Sequence, residues 1–157
     1  MEKIRVYLET SMFNYYFDKE RAGHSATVRM FEAIGCGKFI GFTSEYVNIE
    51  LNRAPEPKKS NMLGLSARYG VTVLDTDDET ANLAKIYVNE LVIPQKFYFD
   101  AFHIASASVN NINCLLTFNF KHLIRFKTKE MTAKINLREG YPTITICQPM
   151  EVLDDVE

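Results

Sequence analysis

Glycine and proline are scarce in this 157-residue chain, with 7 and 5 residues respectively. Hydrophobic residues at 46% and charged residues at 24% are ordinary values for globular proteins. These values exclude the collagenous, fibrous and disordered classes. Because domains commonly span roughly 100 to 200 residues, we expect a single domain over residues 1–157.

Cysteine is also rare, and long apolar runs are missing. Cys36, Cys114 and Cys147 form no Cys-x-x-Cys pair, so neither a disulfide framework nor a thiolate zinc site is indicated. No run approaches the roughly 18 apolar residues that span a bilayer, and the first residues lack the apolar stretch of a signal peptide. We therefore expect a cytoplasmic protein with no membrane attachment.

Several enzyme signatures are absent as well. The chain has no glycine-rich phosphate loop, no Gly-x-Ser-x-Gly elbow and no His-Glu-x-x-His pair. P-loop nucleotide hydrolysis, serine hydrolysis and zinc proteolysis therefore lack support. A net charge of −2 argues against a protein that coats nucleic acid through bulk electrostatics, although it leaves room for a local basic patch.

Short β-rich runs alternate with helical patterns along the chain. Five runs have strand patterns, at 3–8, 39–43, 71–74, 114–117 and 143–147. The helical patterns are a segment at 28–34, a helix capped by Ser44, a segment at 62–69, a helix with a Thr76 and Glu79 capping box, a helix opened by Asp100 and a short helix at 122–126. The aromatic residues after the first strand are interpreted as a loop. Strands separated by helices predict an α/β fold, a three-layer α/β/α sandwich with a mainly parallel central sheet.

Polar side chains occur where the predicted strands end. Glu9 directly follows the first strand, and Asn119 follows the fourth by two residues. Glu50 lies on the helix after the second strand, and Asp100 lies at a helix start. Because ligands of such sheets bind beyond the carboxyl ends of the strands, we expect these side chains to converge. Crowded carboxylates need a hard divalent cation to offset their repulsion, which indicates a phosphoesterase site dependent on Mg²⁺ or Mn²⁺.

Four segments at these positions resemble the PIN-domain family, small α/β metal-dependent ribonucleases that include the toxins of many toxin–antitoxin pairs. The segments, which occur in the family's order, are VYLETSMFNYYF, TSEYVNIEL, FDAFHIASA and LLTFNFKHL. The resemblance extends over nearly the whole chain. It implies a PIN-like domain that hydrolyses RNA phosphodiesters and acts as the toxin of a toxin–antitoxin pair.

The resemblance also implies roles for individual residues. Glu9, Glu50 and Asp100 would be the acidic ligands of Mg²⁺ or Mn²⁺ and, together with Asn119, the catalytic residues. Ser11 would shape the first loop and contact the substrate. The expected partners are RNA, a protein antitoxin and a second copy of the chain in a homodimer.

Two departures from the family pattern favour an alternative. The first ligand position, usually Asp, is occupied by Glu9, and the last segment offers Asn119 but no acid. The site would therefore hold three carboxylates, and fewer charges bind a divalent cation more weakly. The alternative is a degenerate, non-catalytic PIN-like module that binds RNA or a protein partner. A flavodoxin-like signalling domain is disfavoured because no lysine follows a strand at a suitable place.

Each candidate residue also has a simpler interpretation. Asp100 would serve equally well as a helix N-cap, and Glu45 competes with Glu50 as the acid of the second segment. Asn119 would suit a left-handed turn. His103 lies one turn from Asp100, and we expect it to be a structural histidine.

Positive charge is concentrated after Asn119. The segment from there to Arg138 contains six basic residues and one acid, in a chain whose total charge is −2. A basic segment beside the proposed site is suited to RNA phosphates. We therefore assign Lys121, Arg125 and Lys127 to substrate binding.

Overall fold

The computed structural model describes residues 2–156, so Met1 and Glu157 of the predicted domain lie outside the described residues. The described residues form one five-stranded sheet in which every strand pair is parallel. The strands are β1 (Arg5–Leu8), β2 (Ile40–Ser44), β3 (Thr72–Leu74), β4 (Cys114–Leu116) and β5 (Thr145–Cys147). The spatial order is β3-β2-β1-β4-β5. The predicted α/β fold with a parallel central sheet is confirmed.

Helices connect the strands. They are α1 (Thr10–Phe17), α2 (His24–Gly35), α3 (Glu45–Leu51), α4 (Lys58–Leu63), α5 (Leu65–Tyr69), α6 (Asp78–Asn89), α7 (Tyr98–Val109), α8 (Phe126–Glu139) and α9 (Pro149–Val156), with a 3₁₀ turn at Gln95–Phe97 before α7. Helix α2 packs against α1, α5 and α9, while α7 packs against α6, α3 and β4. None of the helices within residues 2–156 is long and apolar enough to cross a membrane.

Strand β1 is the centre of the sheet and explains where polar side chains gather. Its residues Val6, Tyr7 and Leu8 are fully buried, as expected for a parallel strand covered on both faces. The chain adds β2 and β3 on one side of β1 and then places β4 on the other side. This reversal is a topological switch point, where the carboxyl ends of adjacent strands leave room for a ligand.

The pairing register brings the strand ends together. Leu8 is the partner of Leu116, so Glu9 and Thr117 are the next residues on adjacent strands. The Glu9 amide donates to the Leu116 carbonyl at 3.1 Å, and the Thr43 hydroxyl donates to the Leu8 carbonyl at 2.9 Å. The carboxyl ends of β1, β2 and β4 therefore form one edge.

Several predicted helix boundaries are wrong for local reasons. The segment after β1 is the helix α1 rather than a loop, because the Glu9 side chain caps it by accepting from the Ser11 amide. Helix α6 is capped by Asp77, whose side chain accepts from the Thr80 amide at 2.7 Å, so the predicted capping box is displaced by one residue. Helix α7 begins at Tyr98, two residues before Asp100.

The prediction of a short helix at 122–126 is also wrong. Residues 120–125 form turns and bends, and the helix that follows, α8, extends to Glu139. Its buried face contains Thr128, Thr132, Ile135 and Asn136. A hydrophobic pattern does not reveal this helix because three of the four buried residues are polar.

Candidate active site

The structure brings together the four residues that the sequence analysis selected as catalytic. The Thr10 hydroxyl donates to Glu50 Oε1 at 2.6 Å and so links the first and second segments. The Thr117 hydroxyl donates to Glu9 Oε1 at 2.6 Å, and the Asn119 amide donates to Asp100 Oδ2 at 3.4 Å. Side chains from β1, α3, α7 and the end of β4 therefore meet at the carboxyl edge of the sheet.

Glu9 is buried and held through one oxygen. Its Oε1 accepts from the Ser11 amide at 3.1 Å, the Ser11 hydroxyl at 2.5 Å and the Thr117 hydroxyl. The Ser11 hydroxyl also accepts from the Phe118 amide at 2.8 Å. Ser11 thus connects the start of α1 to the segment after β4, and its proposed contact with substrate stays a prediction.

Glu50 is held by a threonine and a histidine. Its Oε1 accepts from the Thr10 hydroxyl and from His103 Nε2, each at 2.6 Å. Burial raises the pKa of Glu50, but the hydrogen bond and the charge of His103, with help from Thr10, bring the pKa below its ordinary value. Glu50 is therefore ionised near neutral pH.

Glu45, the competing acid on the same helix, has a different environment. Its Oε1 accepts from Asn48 Nδ2 at 3.5 Å, within α3 itself. This contact does not involve the other three segments, whereas Glu50 contacts both α1 and α7. The geometry favours Glu50 over Glu45 as the site residue.

The pKa of Asp100 is raised, as expected for a buried carboxyl group that lies near other carboxylates. Burial is the main cause that raises its pKa to about 7, and the negative charges of Glu9 and Glu50 raise it further. His103 and the Asn119 hydrogen bond act in the opposite direction. Because the pKa responds to both glutamates, the three carboxylates share one electrostatic environment.

The simpler interpretations of Asp100 and Asn119 are wrong. Asp100 is the third residue of α7, and the N-cap position is occupied by Phe97. Within residues 2–156, the non-glycine residues with positive φ are Leu91 and Asn111, so Asn119 does not adopt the left-handed conformation. Instead, Asn119 Oδ1 accepts a hydrogen bond from the backbone amide of His122 at 3.0 Å, and Asn119 Nδ2 donates one to Asp100 Oδ2.

The donor chemistry of the site fits a hard divalent cation. In each carboxylate the hydrogen bonds converge on one oxygen, which leaves Glu9 Oε2, Glu50 Oε2 and Asp100 Oδ1 without a hydrogen-bond donor among residues 2–156. In the same part of the chain, no group of three or more His, Cys, Asp or Glu side chains is arranged to hold one ion directly. Mg²⁺ does not require such a group, because it keeps several waters and binds through one or two carboxylates.

His103 is the main site residue that the sequence analysis missed. It is fully buried and lies between Glu50 and the Tyr7 hydroxyl, which is 2.8 Å from its Nδ1. Burial lowers the pKa of His103, but the hydrogen bond that it donates to Glu50 and the charges of the three carboxylates raise that pKa above its ordinary value. Its position three residues after Asp100, on one helix face, was the available signal.

The predicted basic residues lie at the surface beside this edge. Lys121, Arg125 and Lys127 are exposed in the segment that begins after Asn119. Arg138, at the far end of the basic segment, is instead paired with Glu90 and Glu139. Lys129 and Lys134 of α8 are also exposed, so exposed positive charge extends from Lys121 into α8.

Comparison with known proteins gives three findings. Residues 6–127 match the family model described as PIN domain. No curated protein matches the chain. Solved structures with a similar fold include the following two. The structure of VapBC2 from Rickettsia felis bound to a DNA fragment from their promoter has a TM-score of 0.56 at 15% identity and covers 91% of this chain and 97% of that one. The structure of VapC20 from Mycobacterium tuberculosis, described as a sarcin–ricin loop cleaving toxin, has a TM-score of 0.51 at 20% identity. This match covers 74% of this chain and 92% of that one.

The raised pKa of Asp100 predicts a pH-dependent effect of Asp100→Asn. Because the folded-state pKa of about 7 exceeds the ordinary 3.8, the carboxyl group destabilises the metal-free protein increasingly as pH rises from about 4 to about 7. Asp100→Asn should therefore raise Tm in metal-free buffer, and more at about pH 8 than at about pH 5. Thermal unfolding followed by circular dichroism measures both values.

Asp78→Asn is the matched control, since Asp78 is an exposed aspartate in the first turn of α6. Its effect on Tm should be small and similar at the two pH values. An Asp100→Asn variant that is less stable than the wild type at the higher pH would contradict this account of the site.

Proposed function

Because the chain belongs to the PIN-domain family, we propose that it is a divalent-metal-dependent endoribonuclease that hydrolyses RNA phosphodiesters, and the toxin of a toxin–antitoxin pair. The observation that carries the proposal is the meeting of Glu9, Glu50 and Asp100 at one edge of the sheet, each with an oxygen that lacks a hydrogen-bond donor within the part of the chain that the structure describes. The proposal treats residues 1–157 as a single PIN-like domain.

In this proposal Glu9, Glu50 and Asp100 hold Mg²⁺ or Mn²⁺, and Asn119 is the fourth polar side chain of the site. When bound, the ion supplies an activated water and stabilises the charge that develops at phosphorus. The protein supplies the orientation of its carboxylates. Ser11 and Thr117 fix Glu9, and Thr10 with His103 fixes Glu50.

Lys121, Arg125 and Lys127 are the proposed contacts to RNA phosphates, and Ser11, at the start of α1, is a further proposed contact to the substrate. Two aromatic rings in the same segment are exposed, Phe120 by 53% and Phe126 by 78%. Exposed rings beside basic side chains are typical of surfaces that bind single-stranded nucleic acid, because bases stack on the rings while cations follow the backbone. The similarity to a toxin described as cleaving the sarcin–ricin loop supports RNA as the substrate class.

A protein antitoxin is the proposed partner, which the similarity to VapBC2 supports. A homodimer is proposed from the family resemblance, and a cytoplasmic location from the unpaired pattern of the three cysteines. The non-catalytic module remains the second candidate, because Glu9 replaces the usual Asp and Asn119 brings no fourth acid. Metal binding and cleavage distinguish the two functions.

Glu50→Gln and Asp100→Asn should each lower Mn²⁺-stimulated cleavage of end-labelled single-stranded RNA. We expect a decrease of at least about 100-fold, because each substitution removes a charged oxygen ligand, and such a decrease corresponds to ~2.7 kcal/mol of transition-state stabilisation. Cleavage rates of the purified proteins on a denaturing gel give the measurement.

Glu45→Gln is the matched control on the same helix and should retain wild-type cleavage. Unchanged cleavage by Asp100→Asn would show that the site is wrongly assigned. A wild-type protein that neither binds Mn²⁺ nor cleaves RNA would support the non-catalytic module instead.

Lys121→Ala and Lys127→Ala should weaken RNA binding and its dependence on salt. Each lost phosphate contact should reduce the slope of log K against log salt by about 0.7 for a single strand. Fluorescence anisotropy with a labelled single-stranded RNA, in the Asp100→Asn background to suppress cleavage, measures this slope.

Lys38→Ala serves as the control, because Lys38 is exposed and precedes β2, at the amino edge of the sheet. It should leave the slope unchanged. If Lys38→Ala lowers the slope as much as Lys121→Ala does, the RNA does not follow the segment after Asn119.

A further inference from the structure

A continuous row of hydrogen-bonded side chains lies behind Glu50. Ser44 Oγ is 2.6 Å from the Tyr7 hydroxyl, which is 2.8 Å from His103 Nδ1. His103 Nε2 is in turn 2.6 Å from Glu50 Oε1. The row connects the end of β2, the middle of β1, α7 and α3, and it ends at a proposed metal ligand.

The position of one proton in this row follows from chemistry. A carboxylate oxygen can only accept, so His103 Nε2 must carry the proton that it shares with Glu50. His103 Nδ1 and the hydroxyls of Tyr7 and Ser44 can then pair in either direction, because a hydroxyl both donates and accepts. Every polar atom in the row therefore has a partner, and the histidine presents a donor to Glu50 in either of its charge states.

Burial makes this arrangement rigid. Ser44, Tyr7 and His103 are each 0% exposed, and the Tyr7 and His103 rings pack together with centroids 5.8 Å apart. Rotation of the imidazole would break both of its hydrogen bonds where water cannot replace them, and a buried polar group without a partner is strongly disfavoured. The Nε2 atom is thus fixed in place before any ligand arrives.

We propose that His103 is a positioning residue for Glu50, with Tyr7 and Ser44 holding the imidazole in place. The inference rests on the proposed function, since it concerns the same metal site. By engaging Oε1, His103 and Thr10 set the orientation of the carboxylate and reserve Oε2 for the cation. Groups that orient a metal ligand in this way commonly affect metal affinity 10–100-fold.

The test compares Mn²⁺ affinity by isothermal titration calorimetry in four variants. Tyr7→Phe removes the hydroxyl that fixes His103 but keeps the buried ring. His103→Leu removes the donor to Glu50, and His103→Gln keeps an N–H group on a side chain of similar length. Tyr87→Phe is the matched control, because Tyr87 is also fully buried and its hydroxyl donates to Asn136 within a network of its own.

We expect His103→Leu and Tyr7→Phe to weaken Mn²⁺ binding by about 10–100-fold, with His103→Gln recovering part of the loss. Tyr87→Phe should lower the free energy of unfolding in urea while its Mn²⁺ affinity remains that of the wild type. A purely structural role for His103 would instead lower stability and leave Mn²⁺ affinity unchanged. Tyr7→Phe keeps the test decisive if His103→Leu does not fold.

A second readout requires no metal. In ¹⁵N-histidine NMR spectra, His103 should show a protonated, exchange-protected Nε2, and Glu50→Gln should shift that resonance. Wild-type Mn²⁺ affinity in a folded Tyr7→Phe variant, together with an unprotonated Nε2, overturns the inference and leaves the proposed function intact. A wild-type protein that binds no Mn²⁺ overturns both.

Discussion

The repulsion among three carboxylates at the carboxyl edge of the sheet is the constraint on which the site depends. Glu9, Glu50 and Asp100 come from separate segments, yet the pKa of Asp100 responds to both glutamates. The protein offsets part of this repulsion with neutral donors and a histidine, each directed at one oxygen of a carboxylate. Among residues 2–156 Asp100 forms no ion pair, and a divalent cation would supply the positive charge that offsets the remaining repulsion.

The sheet determines where this cluster lies. Because β1 is central and the strand order reverses beside it, the residues after β1 and β4 are neighbours at the switch point. The same buried strand supplies Tyr7, whose hydroxyl reaches His103 in the layer of helices. The core and the site therefore share residues, and a substitution in β1 affects both stability and the orientation of Glu50.

Much of the fold and of the candidate site follows from the sequence. Apolar strands and their intervening helices predict the parallel sheet, and the position of polar residues after strands indicates Glu9 and Asn119. Helix α8 could not be predicted, since its buried face is largely Thr128, Thr132 and Asn136. The contacts of His103 with Tyr7 and Glu50 could not be predicted either, because both partners lie more than fifty residues away in the sequence and on other elements.

The central claim is that Glu9, Glu50 and Asp100 form one divalent-metal site. A crystal structure of the wild-type protein grown with Mn²⁺, with anomalous diffraction data, tests it most directly. The account predicts an anomalous peak at the carboxyl edge of β1 and β4, coordinated at about 2 Å by carboxylate oxygens that include Asp100 and at least one of the two glutamates. An ordered site with Asp100 bonded to Asn119 and no manganese, or manganese bound elsewhere on the surface, would contradict it.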